Sequence, residues 1–213
     1  MRIYAVADIH SNKDKIELIK DTIRQFQPDV LVIAGDITNH FNPEPLIEQI
    51  SRLPIHILAI CGNTDSNKVE KLLTKYSNLF SLHLNKKIVN SIDFVGLNGT
   101  IPIPFYSKIC FGEEQMLNKI EHLITKDTVL VVHPPPRNIL DEAFGIFHAG
   151  SKNLYDMVLK LEPKILICGH IHEQTGTAIL GKTHVVNCSI GRKGAGAIIE
   201  YEKDSTPIIS ILI

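Results

Sequence analysis

Apolar residues in this chain fall into two kinds of stretch. The first kind is short, continuous and rich in Ile and Val: IYAVA (3–7), VLVIA (30–34), IHILAI (55–60), TVLVV (128–132) and KILIC (164–168). Runs that are apolar at nearly every position are what strands covered on both faces require. The second kind has helical period. Residues 12–26 carry Ile16, Ile19, Ile23 and Phe26 on one face, and 43–53, 67–79, 113–126 and 151–162 read the same way. The alternation predicts an α/β domain with helices packed outside a layered sheet core.

Beyond Gly169 the texture changes to short stretches broken by turn residues: QTGTAIL, an LGK turn, THVVNCSI, GRKGAG, AIIEY, a KDST turn and PIISILI. These predict an antiparallel meander. Residues 79–97 share that character, so a second sheet is expected. The triple proline 134–136 follows a strand and reads as a stiff loop entry, because proline cannot continue a ladder. The terminal run Ile208–Ile213 is consistent with an edge strand that pairs with a second subunit and equally with an interior strand.

Composition narrows the field of functions. The 213 residues include 22 basic and 23 acidic side chains, a net charge of -1, which removes the broad attraction that sequence-independent nucleic-acid or membrane-surface binding uses. Any anion must be held by a local site. No apolar run approaches the ~18 residues of a spanning helix, and the start MRIYAVADIH is too short for a secretory signal, so a cytoplasmic protein without membrane contact is expected. Cys61, Cys110, Cys168 and Cys188 match no zinc-finger or redox spacing and read as reduced thiols. A single domain over 1–213 is expected, long enough to fold without staples.

The chemistry gathers at the ends of the buried runs. The first ends in Asp8-Ile9-His10, the second in Gly35-Asp36, the third in Gly62-Asn63, the fourth in His133 and the fifth in Gly169-His170-Ile171-His172. Each motif alone is weak. Together they place two Asp, one Asn and four His at the carboxyl ends of successive strands, where open α/β sheets bind ligands. Imidazole plus carboxylate suits Mn, Fe, Zn, Co or Ni, whereas Mg and Ca prefer all-oxygen shells.

This set resembles the calcineurin-like metallophosphoesterase superfamily, with its motifs D-x-H, G-D, G-N-H-[DE], H and G-H-x-H, over nearly the whole chain. The resemblance implies a two-sheet β-sandwich flanked by helices, a four-layer αββα arrangement. It also implies two divalent transition-metal ions, one held by Asp8, His10, Asp36 and His172, the other by Asp36, Asn63, His133 and His170, with Asp36 bridging. Two such ions ~3.5–4 Å apart share and acidify a water and neutralise charge on phosphate oxygens. The implied activity is phosphoester hydrolysis by a metal-bridging hydroxide, with a phosphodiester as the foremost substrate and a monoester still open.

One position departs from the pattern. The third motif reads Gly62-Asn63-Thr64-Asp65, so the expected His is Thr64. A threonine hydroxyl cannot supply a proton at neutral pH as an imidazolium can. His148, in the long connection after His133, and His40, four residues after Asp36, are the candidate substitutes. His148 equally reads as part of a turn before helix 151–162, and His40 as part of a helix start. The alternative function is an inactive protein-interaction scaffold of the retromer-subunit type, although all seven ligand positions here remain chemically competent. A nuclease is less expected, because the core nearly consumes the chain.

Other features stay secondary. His56, His83, His122 and His184 occupy ordinary strand or helix positions. Gly35, Gly62 and Gly169 read as supports for tight turns. Asp65 either orients a ligating imidazole or caps the helix beginning near Ser66. Residues 98–106 read as a substrate-contacting segment or an inert loop, and Lys86-Lys87 and Arg192-Lys193 as solvated turn pairs.

Overall fold

A computed structural model describes residues 1–39, 42–99, 113–192 and 194–213. His40, Cys110, Lys193 and most of the 98–106 segment lie outside the described residues. The five apolar runs become β1 (Arg2–Val6), β2 (Val30–Ala34), β3 (His56–Ile60), β7 (Val129–Val132) and β10 (Ile165–Cys168). They divide between two six-stranded sheets. In the first, β1, β2 and β3 run parallel, flanked by β4 (Leu79–Ser81) on one side and by β13 (Gly196–Glu200) and β14 (Ile208–Leu212) on the other. In the second, β7 and β10 run parallel between β6 (Ile92–Leu97) and β12 (Thr183–Asn187), with β5 (Asn85–Val89) and β11 (Gly176–Leu180) at the edges.

Side-chain alternation explains the layers. Ile3 and Ala5 of β1, Val30 and Val32 of β2, Val129 and Val131 of β7 and Ile165 and Ile167 of β10 fill the space between the sheets. Their neighbours Tyr4, Val6, Leu31 and Ile33 face α1 (Lys13–Phe26), α2 (Glu44–Ser51) and α3 (Asn67–Leu73). Leu130 and Leu166 face α4 (Glu113–Glu121) and α5 (Lys152–Leu161). Each fully buried Ile, Leu or Val contributes about 1.5–3 kcal/mol, so the two-faced apolar runs dictate the αββα order expected above. Helix α1 shows the local logic: the Asn12 side chain accepts from the Asp14 and Lys15 amides, and Ile16, Ile19 and Ile23 bury one face.

Three expectations are corrected. The segment after Gly169 is not one meander but two hairpins, β11–β12 in the second sheet and β13–β14 in the first, with the chain crossing between sheets in between. Both faces of β12 are buried, so it sits inside a sheet beside β10. Helix α3 stops at Leu73 rather than 79, because Leu79 and Phe80 are taken by the β4 pairing with Ile57 and Leu58. Helix α4 ends at Glu121 rather than 126, where the Thr125 amide donates to the Thr128 hydroxyl and starts the turn into β7. The two readings of the terminal run resolve to an edge strand, since among the described residues β14 pairs with β13 alone. Among the described residues no helix is long and apolar enough to cross a membrane.

Candidate metal centre

The carboxyl ends of β1, β2 and β3 in one sheet meet those of β7 and β10 in the other. Hydrogen bonds cross between the sheets there: His133 Nδ1–H donates to the Ala34 carbonyl at 2.8 Å, and the His170 amide donates to Asp8 Oδ2 at 3.0 Å. The turns are tight enough to force unusual backbone. Asp8, His10, Asp36 and His170 have φ of 64°, 53°, 51° and 71°. Left-handed geometry costs an ordinary residue roughly 1–2 kcal/mol. It is held here by amide bonds from Asp8 to Gly35 and from His10 to Asp36, at 3.1 and 3.0 Å.

The side chains form two adjoining groups. In one, Asp8 Oδ1 lies 3.3 Å from His172 Nε2 and 3.8 Å from His10 Nε2, and the two imidazole nitrogens are 3.4 Å apart. In the other, His133 Nε2 lies 3.5 Å from Asp36 Oδ1 and 3.9 Å from Asp8 Oδ1. Asp36 reaches both groups, since its Oδ2 is 3.8 Å from His10 Nε2. Asp8 also faces both, a sharing that the motif assignment does not contain. Asn63 Oδ1 completes the second group, 3.1 Å from both His133 Nε2 and His170 Nδ1.

These spacings fit divalent ions. Ligand bonds of about 2.0–2.1 Å in tetrahedral array put donors about 3.4 Å apart. Asp8 Oδ1 is buried and has no hydrogen-bond partner among the described residues. An anionic oxygen left unpaired in the interior is costly, and a cation satisfies it. The His133 bond to Ala34 keeps a proton on Nδ1 and aims Nε2 at the carboxylates, the usual way a backbone carbonyl orients a ligating imidazole.

Electrostatics agrees with the donor set. Burial opposes ionisation of Asp36, but the His133 imidazole and the Thr64 amide outweigh it and hold the carboxyl well below the usual range. Asp8 is likewise lowered against its burial, by His172 and His133. Burial works to neutralise His133, yet Asp36 and Asp8 prevail and push it up to about 9. Burial lowers His10 and drives His170 down to about 4. At neutral pH the two aspartates therefore keep their charge while His10 and His170 are already neutral donors.

Thr64 turns its polar groups to Asp36 and Thr38. Its amide donates to Asp36 Oδ1 at 2.9 Å and its hydroxyl to the Thr38 carbonyl at 2.6 Å. Asp65 performs neither role expected of it. Its carboxylate accepts from the amides of Ile37, Thr38 and Gly62 and from the Thr38 hydroxyl, binding the β2 loop to the β3 loop. His148 stands outside both ligand groups, on the short strand β9 (Phe147–His148), with Nδ1 2.7 Å from Asp141 Oδ1.

Three contributors carry no readable signal in the sequence. Lys15 sends its ammonium from α1 to the Asp8 carbonyl at 2.6 Å. Asp141 lies in a loop without a motif. Gly191 leaves space for a ligand, because a Cβ there would sit 2.4 Å from the His172 ring. Gly191→Ala is therefore expected to displace His172 and weaken metal retention by roughly 10–100-fold, the scale of a disturbed ligand support, with the melting temperature of metal-free protein unchanged. Titration with a chelating competitor measures it, and unaltered affinity would refute this account of Gly191.

The profile of the calcineurin-like phosphoesterase family matches residues 1–174, and the chain belongs to that family. An uncharacterized protein of Methanocaldococcus jannaschii is 31% identical over 202 residues, covering 89% of this chain and 88% of that one. Among solved structures, a dimetal phosphatase from Danio rerio superimposes with a TM-score of 0.70 at 12% identity, covering 100% of this chain and 96% of its own. An archaeal phosphodiesterase superimposes with a TM-score of 0.58 at 14% identity, covering both chains completely, 100% of each. At such identities these two structures speak for the shared fold.

Proposed function

We propose that this chain is a dinuclear metal-dependent phosphodiesterase. The observation that supports it most is the adjoining of two donor groups through Asp8 and Asp36, with one buried carboxylate oxygen otherwise unpaired. Bound by these groups, two ions of Mn, Fe, Zn, Ni or Co supply Lewis acidity and a water of lowered pKa. Asp8, His10 and His172 are the ligands of one ion and Asn63, His133 and His170 those of the other, with Asp36 between them. Asn63 donates a neutral oxygen, so two carboxylates meet two divalent ions and the site keeps excess positive charge for a phosphate group.

The excess positive charge serves either ester, so the diester preference rests on the motif resemblance and not on charge. The test is metal content after gentle purification, measured together with turnover of bis(p-nitrophenyl) phosphate and p-nitrophenyl phosphate in added Mn²⁺. About two ions per chain and faster diester turnover are expected. Protein that retains no metal and turns over neither ester would point instead to an interaction scaffold.

A further inference from the structure

We infer that Asp141 and His148 form the proton-donating pair that serves the leaving group, in the place that Thr64 leaves vacant. This rests on the phosphodiesterase reading. Cleavage of an alkyl ester expels an alkoxide, which is a poor leaving group unless a proton meets it. The Thr64 hydroxyl is spent on the Thr38 carbonyl, the His10 and His172 imidazoles adjoin one another, and those of His133 and His170 are committed to the Asn63 amide oxygen.

The Asp141–His148 pair has the construction of an oriented base. Asp141 is 2% exposed, and among the described residues neither a lysine nor an arginine pairs with it. One carboxylate oxygen takes His148 Nδ1–H at 2.7 Å and the other takes the Gly150 amide at 2.9 Å. The Ala149 amide donates to the Asp141 carbonyl, also at 2.9 Å. His148 itself is 46% exposed, so its ring is held at Nδ1 while Nε2 remains the atom that exchanges a proton. A carboxylate, an imidazole and a free second nitrogen in that order are the arrangement by which a histidine is fixed for proton transfer.

Position supports the same role. The loop leaves β7 directly after His133, and β8 (Glu142–Ala143) packs against the 172–174 turn that carries His172. His148 stands across from Glu142 in that hairpin, about 5 Å away through the backbone. The base of the loop is braced, with the Ser151 amide on the Pro135 carbonyl and the Arg137 amide on the Ser151 carbonyl. Capping of α5 does not call for the pair, because the Ser151 hydroxyl oxygen alone accepts the Leu154 amide at 2.9 Å.

In the step assigned to the pair, a water oxygen bonds to phosphorus and the bond from phosphorus to the leaving oxygen breaks. The electron pair of that bond stays on the leaving oxygen, which takes the proton from His148 Nε2 and departs as an alcohol. The proton given up by the attacking water reprotonates Nε2. His148 is the catalytic residue and Asp141 the positioning residue. His148→Gln is expected to slow an alkyl diester by roughly 10²–10⁴-fold while leaving bis(p-nitrophenyl) phosphate within about threefold of wild type, since p-nitrophenolate leaves without a proton. Asp141→Asn is expected to repeat that pattern in weaker form, with metal content unchanged in both variants. An equal fall on both esters, or none on either, overturns the pair's role. Wild-type protein that hydrolyses neither ester overturns the phosphodiesterase reading and the pair with it.

Discussion

Asp36→Asn is expected to lower bis(p-nitrophenyl) phosphate turnover by roughly 10²–10⁴-fold and to reduce retained metal from about two ions per chain towards one. The magnitude follows from burial. Asp36 is 2% exposed and lies between the two donor groups, 3.5 Å from His133 Nε2 and 3.8 Å from His10 Nε2. Removing one partner of a buried charged set costs about 3–5 kcal/mol, and each 1.36 kcal/mol is tenfold in rate or affinity. Asparagine keeps an oxygen to accept the Thr64 amide, so the loop has a reason to stay in place. What it loses is the charge, and one of its positions now carries an amide that donates toward an imidazole. Elemental analysis and initial rates on the same preparation check both parts. Unchanged turnover would mean that the activity belongs to a contaminant or that Asp36 does not join the two groups.

The readable part of this site lies where chemistry and chain order coincide. A strand apolar on both faces announces its own end, and a polar residue directly after it can only stand at the sheet's edge. That is why Asp8, Asp36, Asn63, His133 and His170 are legible as a set without any contact information. The four-layer fold is legible for the same reason, since alternate residues of β1, β2, β7 and β10 must be covered twice. What is not legible is contact between distant loops. Asp65 looks like a cap or an imidazole partner because its neighbours in sequence are a helix and a ligand, whereas its actual partners, Ile37 and Thr38, lie 28 and 27 residues away. Asp141, Lys15 and Gly191 matter only through what folding brings to them. The two C-terminal hairpins misled for a related reason: turns and alternation specify pairing within a hairpin, but not which sheet receives it.

Adding Mn²⁺ to chelator-stripped protein is expected to raise the melting temperature by roughly 8–16 °C at pH 8 and by much less at pH 6. A ligand at about a thousand times its dissociation constant contributes about 4 kcal/mol, and a chain of this size gains about 2–4 °C per kcal/mol. The pH dependence comes from His133, whose folded value of about 9 lies above its ordinary value of 6.5. In metal-free protein the imidazolium pairs with Asp36 and Asp8, a stabilisation fully present below pH 6.5 and lost as pH rises through 9. A metal requires the ring without that proton, so below pH 9 each unit of acid weakens binding about tenfold, or about 1.4 kcal/mol. Metal-free protein thus loses stability between pH 6.5 and 9, whereas loaded protein gains only up to pH 6.5 and is level above it, so the gap widens chiefly through the metal-free form. Asp36 and Asp8, held below the usual carboxylate range, and His170, already neutral, do not blunt the trend at pH 6. Calorimetry in buffers of different ionisation enthalpy gives a second readout, the release of about one proton per chain from His133 on loading at pH 7. A melting increment that is the same at pH 6 and pH 8, with no proton released, would show that His133 is not displaced by the metal and would remove it from the ligand set.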